Sequence, residues 1–89
     1  MESTAYSYKE AGSSFFTAMG VDLRVNPRVV AVDPSVIPLG TIVEVEGYGT
    51  FSAEDTGGAI KGNKIDIFVS TYREAMQFGI QTVRVRVLK

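Results

Sequence analysis

No cysteine and no histidine occur in this 89-residue chain. The first absence excludes disulfide staples, thiolate chemistry and cysteine-ligated zinc or iron–sulfur centres. The second removes serine–histidine and cysteine–histidine catalysis, together with the commonest metal ligand. Acid–base chemistry near neutral pH is therefore left to Asp, Glu, Lys or Tyr with a displaced pKa. Long apolar runs are also missing. The longest are four or five residues, too short for a membrane span or the core of a secretory leader. Excess charge is absent as well: 9 basic against 10 acidic residues leave a net charge of −1. Such a chain has no broad field to gather nucleic acid or an anionic bilayer.

What is present is ordinary for a folded domain, with 45% hydrophobic and 21% charged residues. The length suits one domain over residues 1–89. Short β-branched runs alternate with Gly and Pro. Thr4 to Tyr8 and Phe15 to Ala18 read as a first strand pair, followed by strands at Val29 to Asp33 and Thr41 to Glu46. Pro38-Leu39-Gly40 reads as a turn with Pro at its second position and Gly at its last. Gly47-Tyr48-Gly49 turns the chain into a hairpin with Thr50 to Glu54. Asp55 to Lys64, with its glycines, is irregular. Ile65 to Val69 forms another strand, with Ile65, Ile67 and Val69 on one face and Asp66 on the other. Thr71-Tyr72-Arg73-Glu74 is a capping box opening one short helix, whose apolar stripe is Tyr72, Ala75 and Met76. The tail from Thr82 to Leu88 alternates, with Val83, Val85 and Val87 inward. Six or seven short strands and one helix imply a small closed β-barrel.

Most acids have structural explanations: Glu44 and Glu46 share the outer face of a hairpin strand, and Glu74 caps the helix. Asp33, Asp55 and Asp66 differ, because each ends or interrupts an apolar β-run. Asp33-Pro34-Ser35 and Asp55-Thr56-Gly57 can both be read as Asx-turns. Asp66, between two isoleucines in mid-strand, has no turn to make. The glycine-rich stretch from Asp55 to Gly62 lacks the order of a phosphate-binding loop, and no helix follows it directly. Asp55-Thr56-Gly57 is also the tripeptide of aspartic proteases, but Glu54 stands where those enzymes carry an apolar strand residue.

The three aspartates occur within longer motifs: Val30-Ala31-Val32-Asp33-Pro34-Ser35-Val36-Ile37-Pro38-Leu39-Gly40-Thr41, then Ala53-Glu54-Asp55-Thr56-Gly57-Gly58-Ala59-Ile60-Lys61-Gly62-Asn63-Lys64-Ile65-Asp66-Ile67-Phe68. Together they resemble the 3D domain, named for three aspartates and similar to the barrel of the membrane-bound lytic transglycosylase A type. The resemblance implies a six-stranded double-psi β-barrel. It also implies cleavage of peptidoglycan between N-acetylmuramic acid and N-acetylglucosamine, with no cofactor or metal. A non-catalytic glycan-binding barrel is the alternative. The family's catalytic aspartate carries over to Asp66, with Asp55 and Asp33 in support. The family's Thr-Ala-x-Gly segment carries over to Thr17, Ala18 and Gly20, with Met19 departing from the small or hydroxylic residue expected there. Thr56, Gly57 and Gly58 are expected to bond sugar hydroxyls or N-acetyl groups, and Lys61 and Lys64 to face solvent or substrate carboxylates. Tyr6 and Tyr48 are candidates to stack on sugar faces.

A lone acid suffices in such chemistry because the muramyl C6 hydroxyl is an intramolecular nucleophile. The acid's pKa must rise from about 3.9 towards neutrality. Burial beside Ile65, Ile67 and Phe68, and the charge of Asp55, push that way, while Lys61 and Lys64 would oppose it. The resemblance further implies a secreted or cell-envelope setting, peptidoglycan strands as partner, and no nucleic acid. Any leader and further domains then lie outside these 89 residues. Short edge strands permit a domain-swapped dimer.

Overall fold

Alternating stretches become strands where one face can be buried, and seven strands form in the computed structural model, which describes residues 1–7, 16–69 and 71–88. The strands are β1 (Glu2–Tyr6), β2 (Val29–Val32), β3 (Ile42–Val45), β4 (Gly49–Asp55), β5 (Lys64–Phe68), β6 (Gln81–Thr82) and β7 (Val85–Val87). Among the described residues a single helix, α1 (Tyr72–Phe78), sits between β5 and β6. The sheet order is β6-β1-β5-β2-β4-β3-β7. β1 runs parallel to β5, and β2 parallel to β4; the other pairings are antiparallel.

The edge strands β6 and β7 are separated only by Val83 and Arg84. One short stretch of chain therefore pairs with both ends of the sheet and curls it into the expected mainly-β barrel. The expected final strand is split there, which raises the count from six to seven. Val83 Nα–H donates to the Met1 carbonyl at 2.9 Å, and Glu46 Nα–H to the Arg84 carbonyl at 2.9 Å, so backbone bonding continues through the break.

Alternation decides the interior. Val30, Val32, Val43, Val45, Phe51, Ala53, Ile65 and Ile67 fill the barrel. A second, smaller cluster lies on the outer face, where Tyr6, Val29, Ala31 and Phe68 are covered by Leu23. Leu23 is 1% exposed, and burying a side chain of that size contributes about 2 kcal/mol. It anchors the stretch 16–26 as a strap over the sheet.

Several local expectations change. Phe16 joins no strand, its backbone forming an isolated bridge to Asp22, and β1 pairs with β5 rather than with residues 16–18; Phe15 lies outside the described residues. The reason is local: the Thr17 hydroxyl accepts from Met19 and Val21 amides, bending the chain into a turn at Gly20. The Pro38 turn is shifted by one residue, since Thr41 Nα–H bonds the Pro38 carbonyl and Gly40 takes the positive φ of 88°. Half the capping box forms. Glu74 Nα–H donates to Thr71 Oγ1, but the Glu74 carboxylate takes the Thr71 hydroxyl rather than its amide. Ala75 is buried and Phe78 packs on the barrel core, while Met76 is 64% exposed. Ala75 and Phe78, three apart, are thus the packed face. Val83 is buried as expected, but Val87 at the sheet margin is 55% exposed.

Gly49 has φ of 98°, and a Cβ there would stand 2.7 Å from Arg28 Nη2. Gly47 also has positive φ, but with open space around it. Gly49→Ala should cost about 1–2 kcal/mol from backbone strain plus the displacement of Arg28, and Gly47→Ala only the strain. Urea unfolding of the two variants checks this; equal losses would show that the Arg28 contact carries nothing.

Candidate functional site

Residues opposite one another on neighbouring strands share a face, and four of them form a row across the outside of the barrel. Thr4 on β1 lies opposite Asp66 on β5, Asp66 opposite Ala31 on β2, and Ala31 opposite Asp55 on β4. Two carboxylates thus share one face with only an alanine between them. Neighbouring strands are about 4.8 Å apart, so the two strands carrying them are separated by about 10 Å. An irregularity makes this possible. Ala53 pairs with Val30 but Asp55, not Glu54, pairs with Ala31. In a regular strand Asp55 would alternate back towards the core; the bulge at Glu54 returns it to the outer face.

Each carboxylate has a different setting. Asp66 is half-buried, and its Oδ1 accepts the Thr4 hydroxyl at 2.9 Å. Ile65 and Ile67, its chain neighbours, face into the barrel as the alternation predicts, so they flank Asp66 without sharing its face. Its own face holds Thr4, Ala31, Tyr6 and Phe68.

Asp55 accepts three bonds: the Tyr6 hydroxyl at 3.0 Å on Oδ2, and the Ala18 and Thr56 amides, both at 2.9 Å, on Oδ1. The expected Asx-turn is replaced by this clamp, which joins β1, β4 and the strap. Burial first, then the charge of Asp55, its hydrogen bond and the charge of Asp66 push the Tyr6 phenol far above its ordinary pKa. Tyr6 therefore stays a donor. Its ring is buried edge-on against Phe68 at 5.5 Å, so the hydroxyl and not a ring face meets the site.

Asp33 is a staple. Oδ2 accepts the Gly62 amide at 2.8 Å, and Oδ1 accepts the Ser35 amide at 3.0 Å and hydroxyl at 2.7 Å. The Gly62 bond ties the 56–62 loop to the end of β2, and Ser35 makes the expected Asx-turn. These bonds, Gly62's above all, hold the Asp33 carboxyl down to about 2, with a smaller pull from Lys61. It is fully ionised near neutrality and cannot serve there as a proton donor. Because its folded pKa lies below the ordinary value of about 3.9, its stabilisation is complete above that pH and is lost as pH falls towards about 2. Wild type should then have the higher thermal midpoint over Asp33→Ala near neutral pH, and the gap should close as pH approaches about 2. A gap independent of pH across that window would remove the ionised carboxylate from the account.

The remaining expected residues surround this face unevenly. The Thr17 hydroxyl serves its own turn. Thr56, Gly58, Lys61 and Lys64 are exposed, and Lys64 pairs with Glu2 at 3.6 Å. Gly57 has no positive φ; a Cβ there would press on Ile60 Cγ1 at 3.0 Å, so packing explains that glycine. Tyr48 is 39% exposed, donates its hydroxyl to Gln81 Oε1 and lies 5.3 Å from the Phe78 ring, away from the aspartates. One residue absent from the expected set belongs here, Thr4 on Asp66, while Ala18 of the expected Thr-Ala-x-Gly segment takes part through its backbone amide on Asp55. The alternation Thr4-Ala5-Tyr6 carried the signal for Thr4, since it places Thr4 and Tyr6 on one face.

Two clefts open elsewhere, one of about 1070 Å³ between the β3–β4 hairpin and residues 81–86, and one of about 520 Å³ between α1 and the barrel end. Among the described residues no group of His, Cys, Asp and Glu is placed to hold a metal ion, and no helix is long and apolar enough to cross a membrane.

Comparison with known proteins places this geometry. The cell wall-binding protein YocH of Bacillus subtilis is 58% identical over 87 residues, covering 96% of this chain and 30% of YocH. The putative cell wall shaping protein YabE of the same organism is 52% identical over 90 residues, covering 99% of this chain and 22% of YabE. The chain thus spans less than a third of either relative. Among solved structures, MltA from Escherichia coli, described as a lytic transglycosylase, superposes with a TM-score of 0.64 at 35% identity, over 83% of this chain and 27% of MltA. Its complex with bound chitohexaose gives a TM-score of 0.66 at 30% identity, with the same coverage of 83% and 27%. The 3D domain profile matches residues 28–89 and includes all three aspartates. With more than half its length so matched, and a barrel like that of MltA, the chain belongs to the 3D domain family.

Proposed function

We propose that this barrel cleaves the glycan strand of peptidoglycan as a lytic transglycosylase, in a secreted or cell-envelope protein. The observation that carries the reading is the row Thr4–Asp66–Ala31–Asp55, in which one carboxylate is clamped by three donors and the other lies beside it on the same face. An ordinary glycosidase needs two working carboxyl groups. Here Asp55 holds Tyr6, Ala18 and Thr56, which suits a reaction needing one acid only.

Asp66 as carboxylic acid protonates the glycosidic oxygen, and the bond from that oxygen to the muramyl C1 breaks. The C6 hydroxyl of the same sugar attacks C1, and its proton passes to the Asp66 carboxylate, restoring the acid. The products are a 1,6-anhydromuramyl end and a free hydroxyl on the departing N-acetylglucosamine. The wall-binding and wall-shaping names of the relatives, and the chitohexaose held by MltA, support a glycan of the wall as the polymer.

Digestion of purified peptidoglycan followed by mass spectrometry tests this. Anhydromuramyl ends are expected. Reducing ends would identify a muramidase, and binding without release would identify the glycan-binding module that the name of YocH suggests.

A further inference from the structure

The smaller cleft, about 520 Å³, lies within the usual range of small-ligand sites, roughly 300–1000 Å³. Phe51, Phe68 and Phe78 supply apolar walls, while Arg28, Gln77 and Gln81 supply polar groups. Arg28 lies 4.1 Å from the Phe51 ring centroid and donates to the Thr50 and Tyr48 carbonyls at 3.1 and 2.8 Å. Among the described residues no carboxylate pairs with it. A guanidinium fixed by neutral partners keeps its full charge at the cleft wall, ready for a carboxylate from outside. Glu74 also lines the cleft and takes the Thr71 hydroxyl. Its charge opposes a simple anion but favours a ligand that carries N–H groups beside its carboxylate. Peptides have that combination.

Position adds a connection. Phe68 follows Asp66 by two residues on the same face of β5, about 7 Å along the strand, and forms a wall of the cleft. We infer that this cleft binds a short carboxylate-bearing peptide, the branch that a muramyl sugar held at Asp66 would carry. This rests on the glycan-cleaving reading for its choice of peptide. The larger cleft is a weaker candidate, because Glu44 and Arg86 on its lining pair with each other at 2.6 Å.

Titration of the isotope-labelled protein with muramyl dipeptide, and separately with chitotetraose, tests the inference by NMR. Muramyl dipeptide should shift the Arg28 Nε–H and the side-chain amides of Gln77 and Gln81. Gln77 is exposed on α1, so Gln77→Glu and Gln77→Lys change charge at the cleft without disturbing the core. Dipeptide affinity should fall about two- to fivefold in the first and rise similarly in the second, while chitotetraose remains indifferent to both. Affinity blind to the charge at 77, or shifts confined to the Asp66 face, overturns the peptide cleft even if wall digestion yields anhydromuramyl ends. Charge-dependent dipeptide binding without anhydromuramyl release leaves the cleft standing and removes the catalytic reading alone.

Discussion

Asp66→Asn is expected to lower the release of anhydromuramyl products by about 10²–10⁴-fold, the usual contribution of a positioned acid–base group. The fold should survive, because the Asn carbonyl oxygen still accepts the Thr4 hydroxyl that now donates to Asp66 Oδ1 at 2.9 Å. The amide has no acidic proton to give the glycosidic oxygen. Quantifying anhydro ends alongside thermal unfolding separates the two effects. Turnover equal to wild type in a folded Asp66→Asn protein would dismiss Asp66 as the acid. A large fall in thermal midpoint would mean that the substitution reports on folding instead.

Asp55→Ala should act mainly on the fold. It removes one acceptor from three donors: the buried Tyr6 phenol and the Ala18 and Thr56 amides. A buried donor left without a partner costs about 1–3 kcal/mol, and bonds to a charged acceptor are stronger than neutral ones. A loss of about 2–4 kcal/mol is expected, large against the 5–15 kcal/mol that holds a typical domain together. The strap should also loosen at the end of β4, where losing the Ala18 tie leaves the Met19 bond to the Glu54 carbonyl at 3.1 Å to hold it there. Tyr6→Phe removes the orphaned hydroxyl, so the double variant should be less destabilised than the two single losses added together. Denaturant unfolding of the four proteins supplies that cycle. Strict additivity would show that the phenol and the carboxylate do not act as a pair.

The interior of the barrel was legible in the sequence because alternation has a period of two. Val43, Val45, Ile65 and Ile67 are buried where the pattern put them, and Asp66 faces the other way. Turn chemistry was legible for the same local reason, as in Asp33 with Ser35, and the helix start at Thr71 followed from its hydroxyl and Glu74. The three aspartates were visible as breaks in apolar runs.

Tertiary structure alone decided which of them meet. The parallel partner of Thr4 lies 62 residues away at Asp66, and no periodicity in either strand encodes that choice. The bulge at Glu54 reverses the side on which Asp55 emerges, and a count along the strand would have turned it inward. In the sequence Tyr6 could equally stack on a sugar or pack in the core, and it is a buried phenol on Asp55 because its neighbours come from β4, β5 and the strap. Local patterning records which face a residue occupies, since that depends on its own strand. Pairing between distant strands depends on how the whole sheet closes, and in this barrel that closure brings one acid to the surface beside another already held fast.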